Sequence, residues 1–395
     1  MDFAQALRAS MDERGMSGNA LAHRVHCDKA LISRFVNGKQ APSAKLARLI
    51  DEALGAGGEL AELTAPPHPL GAAPDGTFTP DDEDRLLAAA RSPSRIGTAT
   101  VESLAVILAA QRNLEDQVGS AAVREPVRAQ IAAVGNLVTG ARGTIRPALT
   151  DVAAQWAEFA GWLAISTGQP AEARRMYDRA AEWAAEAGNT TMAATILSFR
   201  GHLAFLLGQF GATIGLSRAA QRDPAIWAGQ RAYDAHQEAR GLAVTGERNA
   251  AVRKLGEAAG LVALTEEQGG QPPPWIYYYT PSFYALERGW AYLYLSRRDP
   301  AANDQAIRYL TEGLAGLDEG TRRSEWAAEH RRHLVNAYAQ AGAPDRAAAE
   351  AMEVVRVARS AGSASLLGAV RRQHARLAAR WPDDPDVALL GEALR

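Results

Sequence analysis

A single cysteine, Cys27, stands in a chain of 395 residues, which excludes an internal disulfide and fits a reducing compartment. No uncharged stretch approaches the roughly 18 residues that a membrane-spanning helix needs. Near the N-terminus Asp2, Arg8, Asp12, Glu13 and Arg14 interrupt every apolar run, so no signal sequence is expected either. An excess of basic charge is also missing: the net charge is -2, so nucleic acid could be held only by a local patch. There is no Walker loop, no G-x-S-x-G and no H-E-x-x-H, and the acids fall in the pattern of solvated helix faces. Neither an enzyme nor a cofactor is expected. His23, His26 and Cys27 lie close together in sequence without a fourth ligand at metal spacing, so packing in core and turn is their reading and no metal site is expected. What is present is ordinary globular usage, 47% hydrophobic and 22% charged, with length for two or three domains and a large core. A soluble cytoplasmic protein is expected.

Within residues 1–64 the apolar spacing marks four helices. Phe3, Ala6, Leu7 and Met11 form the stripe of the first, which Gly15 stops. Ser17 is a good N-cap for a second carrying Ala20, Leu21 and Val25, and Asp28 caps a third with Leu31, Ile32 and Phe35 inward. Gly38 ends that helix, and a fourth runs from Ala44 to Leu54. Only His26 and Cys27 are left for the second turn, and so short a connection forces a steep angle between its helices, as in a helix-turn-helix. Charge follows the same geometry. From Arg14 to Arg48 there are seven cations against Asp28 alone, a net +6. With the apolar stripe of the third helix turned inward, Lys29, Ala30, Ser33 and Arg34 are left outside, where the second helix of such a motif enters the major groove. Lys29 and Arg34 suit the acceptor edge of guanine, Ser33 suits either partner, and the Ala30 methyl suits thymine. Asn37, Lys39, Ser43 and Lys45, in the following loop and helix start, can hold phosphate, as can Ser17 and Asn19 at the start of the second helix.

The run NALAHRVHCDKALISRFVNGKQAPS resembles the Cro/C1-type (XRE) repressor domain over about 60 residues, with apolar positions, caps and basic residues matching together. The resemblance implies a lambda-repressor-like fold, base reading by Lys29, Ala30, Ser33 and Arg34, and phosphate positioning by Ser17, Asn19, Asn37 and Lys39. One departure is His26, which stands in the turn where that family usually has Gly; it adopts left-handed geometry less easily.

Residues 65–80 hold five prolines and no helical period, and read as a linker. From Asp81 a helical connecting segment is expected to residue 150, with acids at its start and helices near 99–118 and 122–139. Over 151–395 a pattern repeats: Gly161, Gly168, Ala173, Tyr177 and Ala180 recur in kind around Gly201 and Gly208, Gly246, Gly289 and Gly342. Small residues at this spacing let antiparallel helices cross closely, and an aromatic fills the groove between them. The pattern resembles tetratricopeptide (TPR) repeats in an elongated form, since Gly168, Gly208 and Gly246 are 40 and 38 residues apart against a standard period of about 34. The expected fold is thus all-α, a helix-turn-helix head followed by a TPR-like α-solenoid of five helix pairs, with a further helix near 363–379 and a C-terminal cap. Glu158, Trp162, Ser198, His202, Phe205, His236, Arg240, Trp290, Arg332 and Asn336 are placed on the concave side, a mixed aromatic and polar set suited to a peptide or small-molecule effector. Trp275, Tyr277, Tyr278, Tyr279 and Tyr284 follow three prolines and fit either packing between helices or ligand lining.

This combination resembles actinobacterial repeat-containing transcriptional regulators and, more distantly, the RRNPP peptide-sensing regulators. The resemblance implies a homodimeric regulator that binds an operator in double-stranded DNA, with a solenoid that senses a signal. Alternatives are a protein-interaction scaffold with a weak or vestigial DNA-binding head, and a head used for dimerisation alone.

Overall fold

A computed structural model describes residues 3–25, 27, 29–38, 42, 44–58, 60, 63, 97–268 and 272–395. Among the described residues every regular element is helical, and none is long and apolar enough to cross a membrane. The chain divides into two units, residues 1–72 and 73–395. The linker at 65–80, the helix start at Asp81, the Asp28 cap and His26 lie outside the described residues.

The first unit contains α1 (Phe3–Glu13), α2 (Gly18–Arg24), α3 (Lys29–Val36) and α4 (Ala44–Leu54). Ser17 Oγ caps α2 by accepting the Ala20 N–H at 3.2 Å. The turn to α3 is longer than the two residues expected, because α2 stops at Arg24 and the Cys27 N–H reaches back to the Ala22 carbonyl at 2.9 Å. Phe3, Leu7, Leu21, Val25, Ile32, Phe35, Ile50 and Leu54 form one core; Leu7, Leu21 and Ile50 are wholly buried. Gly38, at φ 66°, turns the chain out of α3 in a conformation that favours glycine. One tie has no helical signal: buried Asp51 accepts the Gly58 and Leu60 N–H groups at 2.7 Å each, pinning the chain after α4.

The second unit begins with α5 (Thr98–Val118) and α6 (Ser120–Gly140). Five antiparallel pairs follow: α7 (Ile145–Ser166) with α8 (Pro170–Ala187), α9 (Thr190–Leu206) with α10 (Phe210–Ala220), α11 (Ala228–Thr245) with α12 (Arg248–Gln268), α13 (Pro281–Leu295) with α14 (Ala301–Ala315), and, after the short α15 (Glu319–Arg322), α16 (Glu325–Ala341) with α17 (Pro344–Ser360). α18 (Ala364–Arg380) and α19 (Pro385–Ala393) finish the stack. The boundary expected at residue 151 falls inside α7, against which both α5 and α6 pack. The described part of the connecting segment, from residue 97 on, is therefore part of the stack. Small residues do permit close crossing: a Cβ on Gly161 would lie 2.5 Å from the Tyr177 ring, and Tyr177 is fully buried between α7 and α8.

This unit also closes on itself. The Ser120 N–H donates to Glu325 Oε2 at 2.7 Å across 205 residues of sequence, and the Tyr277 hydroxyl donates to Asp116. Gly119, at φ 87°, sits so near the α17–α18 turn that a Cβ would lie 2.7 Å from the Ala361 Cβ. The first helices of successive pairs thereby surround a common space.

Candidate DNA-reading face and ligand cavity

α3 answers the question of which residues can reach a duplex. Ile32 and Phe35 are 1% exposed, while Lys29, Ser33 and Arg34 are exposed on the other side of the same helix. Neither Lys29 nor Arg34 has a hydrogen bond or ion pair among the described residues, so both are available to an external acceptor. Two other cations of the motif are less free: Arg14 donates to Glu13 at 2.7 Å and Arg24 to the Ala53 carbonyl at 3.1 Å. Ser17 and Asn19 are exposed at the start of α2, where backbone N–H groups point outward. Asn37 is placed differently from the expected free phosphate contact, since its Nδ2 donates to the Ser33 carbonyl at 2.7 Å and closes the end of α3. Lys39 and Ser43 lie outside the described residues, as do the side chains of Ala30 and Lys45.

In the second unit a cavity of about 660 Å³ opens between α5, α7, α9, α13, α16 and α18. Of the residues expected on the concave side, Glu158, Trp162, His202, Phe205, Trp290 and Arg332 line it. Four do not. Ser198 is buried, its Oγ 2.8 Å from Asp234 Oδ2; His236 Nδ1 lies 2.8 Å from the Ala232 carbonyl while its ring stacks on Tyr284. Asn336 accepts from Gln373 Nε2 at 2.9 Å. Arg240 lies beneath the wall, wholly buried. For Ser198, His236 and Arg240 the shared reason is α11, which packs on both sides and buries Gln230, Asp234, His236, Gln237, Glu238 and Arg240, so its polar positions do not mark a solvent face. Of the aromatic run, Trp275, Tyr277, Tyr278 and Tyr279 reach the cavity, whereas Tyr284 does not; Trp275 is also fixed as packing by its Nε1–H bond to Thr195 Oγ1 at 2.9 Å.

Two buried ion pairs stand in the wall, and they differ. Arg240 Nη1 donates to Glu287 Oε2 at 2.7 Å, with the guanidinium 3.6 Å from the Trp290 ring centre and 4.6 Å from that of Phe205. His330 Nε2 lies 3.1 Å from Glu287 Oε1. Burial alone would raise Glu287, but the Arg240 charge and the His330 contact outweigh it and hold the carboxyl down at about 2. At the second pair Arg112 Nη2 donates to Glu158 Oε2 at a longer 3.2 Å. Here burial wins, pushing Glu158 up to about 7 and Arg112 down, with the partner charges opposing only in part. Burial likewise lowers His202 to about 3 and His333 well below its ordinary value, so both rings are neutral and act as aromatic wall. His333 stacks on Trp290 at 4.2 Å.

Sequence reasoning missed Glu115, which lines the cavity at 8% exposure. Its Oε1 accepts from Ser120 Oγ at 2.5 Å and from Trp162 Nε1 at 3.3 Å. Burial is the main cause that raises it to about 7, against those two hydrogen bonds. Its position, four residues before the Gly119–Ser120 break between two helices, carries no local pattern that singles it out.

A family model described as a helix-turn-helix domain matches residues 2–63, the span of the first unit's four helices. No curated protein matches the chain. The match and the exposed cationic side of α3 together support a DNA-binding regulator.

Proposed function

We propose that this chain is a transcriptional regulator in which α3 reads the major groove of an operator and the second unit binds a small organic effector that alters DNA affinity. The observation that carries the reading is that one short helix buries Ile32 and Phe35 and exposes Lys29 and Arg34, which have no partner among the described residues. A single head neutralises few phosphates, so useful affinity at physiological salt calls for two heads on half-sites about one helical turn apart, hence a homodimer. The helix pairs of the second unit are of TPR type with extra length, and the unit serves as sensor. A cavity of about 660 Å³ falls within the range of small-molecule sites, which favours a compact effector over an extended peptide.

An effector can shift operator affinity only by its difference in affinity for two states of the protein. The test is to identify by mass the small molecules retained by the full chain from cell extract, then titrate a selected operator with and without them. A change in operator affinity is expected. No change at effector saturation would remove the switch while leaving DNA reading intact.

A further inference from the structure

Resting on the cavity as an effector site, we propose that its ligand is an organic cation, an ammonium group on an apolar or aromatic body, seated with its charge against Glu115 and Asp116. Six carboxylates line the cavity: Glu115, Asp116, Glu158, Glu287, Glu325 and Glu329. Three are balanced from within the protein, Glu158 by Arg112, Glu287 by Arg240 and Glu329 by Arg332. The other three have no cation among the described residues. They stand together where α5 and α6 meet the start of α16, and each is held by neutral donors only: Glu115 by Ser120 Oγ and the Trp162 indole, Asp116 by the Tyr277 hydroxyl, Glu325 by the Ser120 N–H.

Glu115 is the decisive member. It is more than nine-tenths buried, and both of its hydrogen bonds end on Oε1, leaving Oε2 without a donor among the described residues. A buried carboxylate without a cation is costly, and here the cost shows as a carboxyl raised to about 7 by burial. An ammonium at Oε2 would supply the missing charge. The surroundings suit such a guest, because Trp162 sits against Glu115 and Tyr278 packs on Trp326 at 5.9 Å nearby in the wall; ring faces attract a desolvated cation. An anionic ligand finds less. The lining cations without an ion pair among the described residues, Arg297 and Arg372, are exposed, where solvent screens them.

The test uses the full chain and three probes of one shape, phenethylammonium, phenethyl alcohol and phenylacetate, with affinities measured by ligand-observed NMR. The ammonium is expected to bind at least about tenfold more tightly than the alcohol, with phenylacetate weakest. In Glu115→Gln that preference should fall below about twofold, with the melting transition retained. Should Glu115→Gln fail to fold, Asp116→Asn, at a half-buried position, carries the same comparison. Equal or tighter binding of the alcohol or of phenylacetate overturns the cation assignment alone. An ammonium preference indifferent to both substitutions overturns the seat at Glu115 and Asp116. Binding of none of the three at millimolar concentration overturns the cavity as a small-ligand site, and this assignment with it.

Discussion

Replacing Glu287 by Leu leaves Arg240 wholly buried with its charge uncompensated. The guanidinium keeps Gln237 Oε1 at 3.1 Å and the two ring faces, but it had these already, so they offset none of the loss. Removing one member of a buried pair costs about 3–5 kcal/mol, and the absence of solvent at Arg240 places this site toward the upper part of that range. The companion variant, Arg240→Met with Glu287→Leu, leaves no stranded charge. Gln237 Oε1 still has the Tyr233 hydroxyl at 3.1 Å, so the main residual loss is the His330 contact, about 1 kcal/mol. The double variant is therefore expected to be more stable than the single one by about 2 kcal/mol or more. All eight tryptophans lie at or beyond Trp156, so denaturant unfolding followed by tryptophan emission reports on the second unit alone. Because a helical stack can unfold in steps, hydrogen exchange of the α11 and α13 amides should accompany it. A Glu287→Leu loss below about 1 kcal/mol, or a double variant no more stable than the single, would refute a dry and mutually compensating pair.

The closure of the second unit is open to a smaller change: Gly119→Ala requires a positive φ from an L side chain and drives a Cβ to 2.7 Å from Ala361, so a loss of about 1–3 kcal/mol is expected in the same emission assay, and an unchanged midpoint would deny the contact. pH provides another handle. Glu115 is raised in the folded state, so the stability it contributes is fully present below its unfolded value near 4.5 and is lost as pH rises through about 7. Asp116 and Glu325 add to this from their own elements by repulsion. Relative to Glu115→Gln, the natural chain should therefore lose stability between pH 5 and pH 8, and parallel pH profiles of the two would contradict the burial of that carboxyl.

The head was legible because its signals are local. Ser17 as a cap, the Leu31–Ile32–Phe35 stripe and Gly38 as a stop each act within one turn of helix, and the core they imply forms. The helix pairs were legible for a related reason, since Gly168, Gly208 and Gly246 all take positive φ, at 74°, 73° and 89°, in the turns where the repeat spacing put them. The cavity was legible only in part. Trp162, His202, Phe205 and Trp290 sit on first helices of three of the pairs and converge, but α11 is buried nearly all round, so the usual rule that polar positions face water misplaced Ser198's partner helix and with it His236 and Arg240. Closure of the unit had no local signature at all. Ser120 and Glu325, or Asp116 and Tyr277, are brought together by the summed curvature of many pairs, and the carboxylates at that junction look in sequence like any solvated acids.

Lys29 and Arg34 on α3 are expected to read the bases of the operator. The direct measurement is selection of duplexes from a random pool by the full chain, followed by gel shift of the selected duplex against the natural chain, Lys29→Ala, Arg34→Ala and, as an exposed control on α4, Arg48→Ala. Each α3 substitution is expected to weaken selected binding by about 1–3 kcal/mol and to relax base preference at one position, whereas Arg48→Ala should lower all duplexes alike. Failure of the natural chain to enrich any sequence, or equal losses for all three variants on specific and unrelated duplexes, would contradict it.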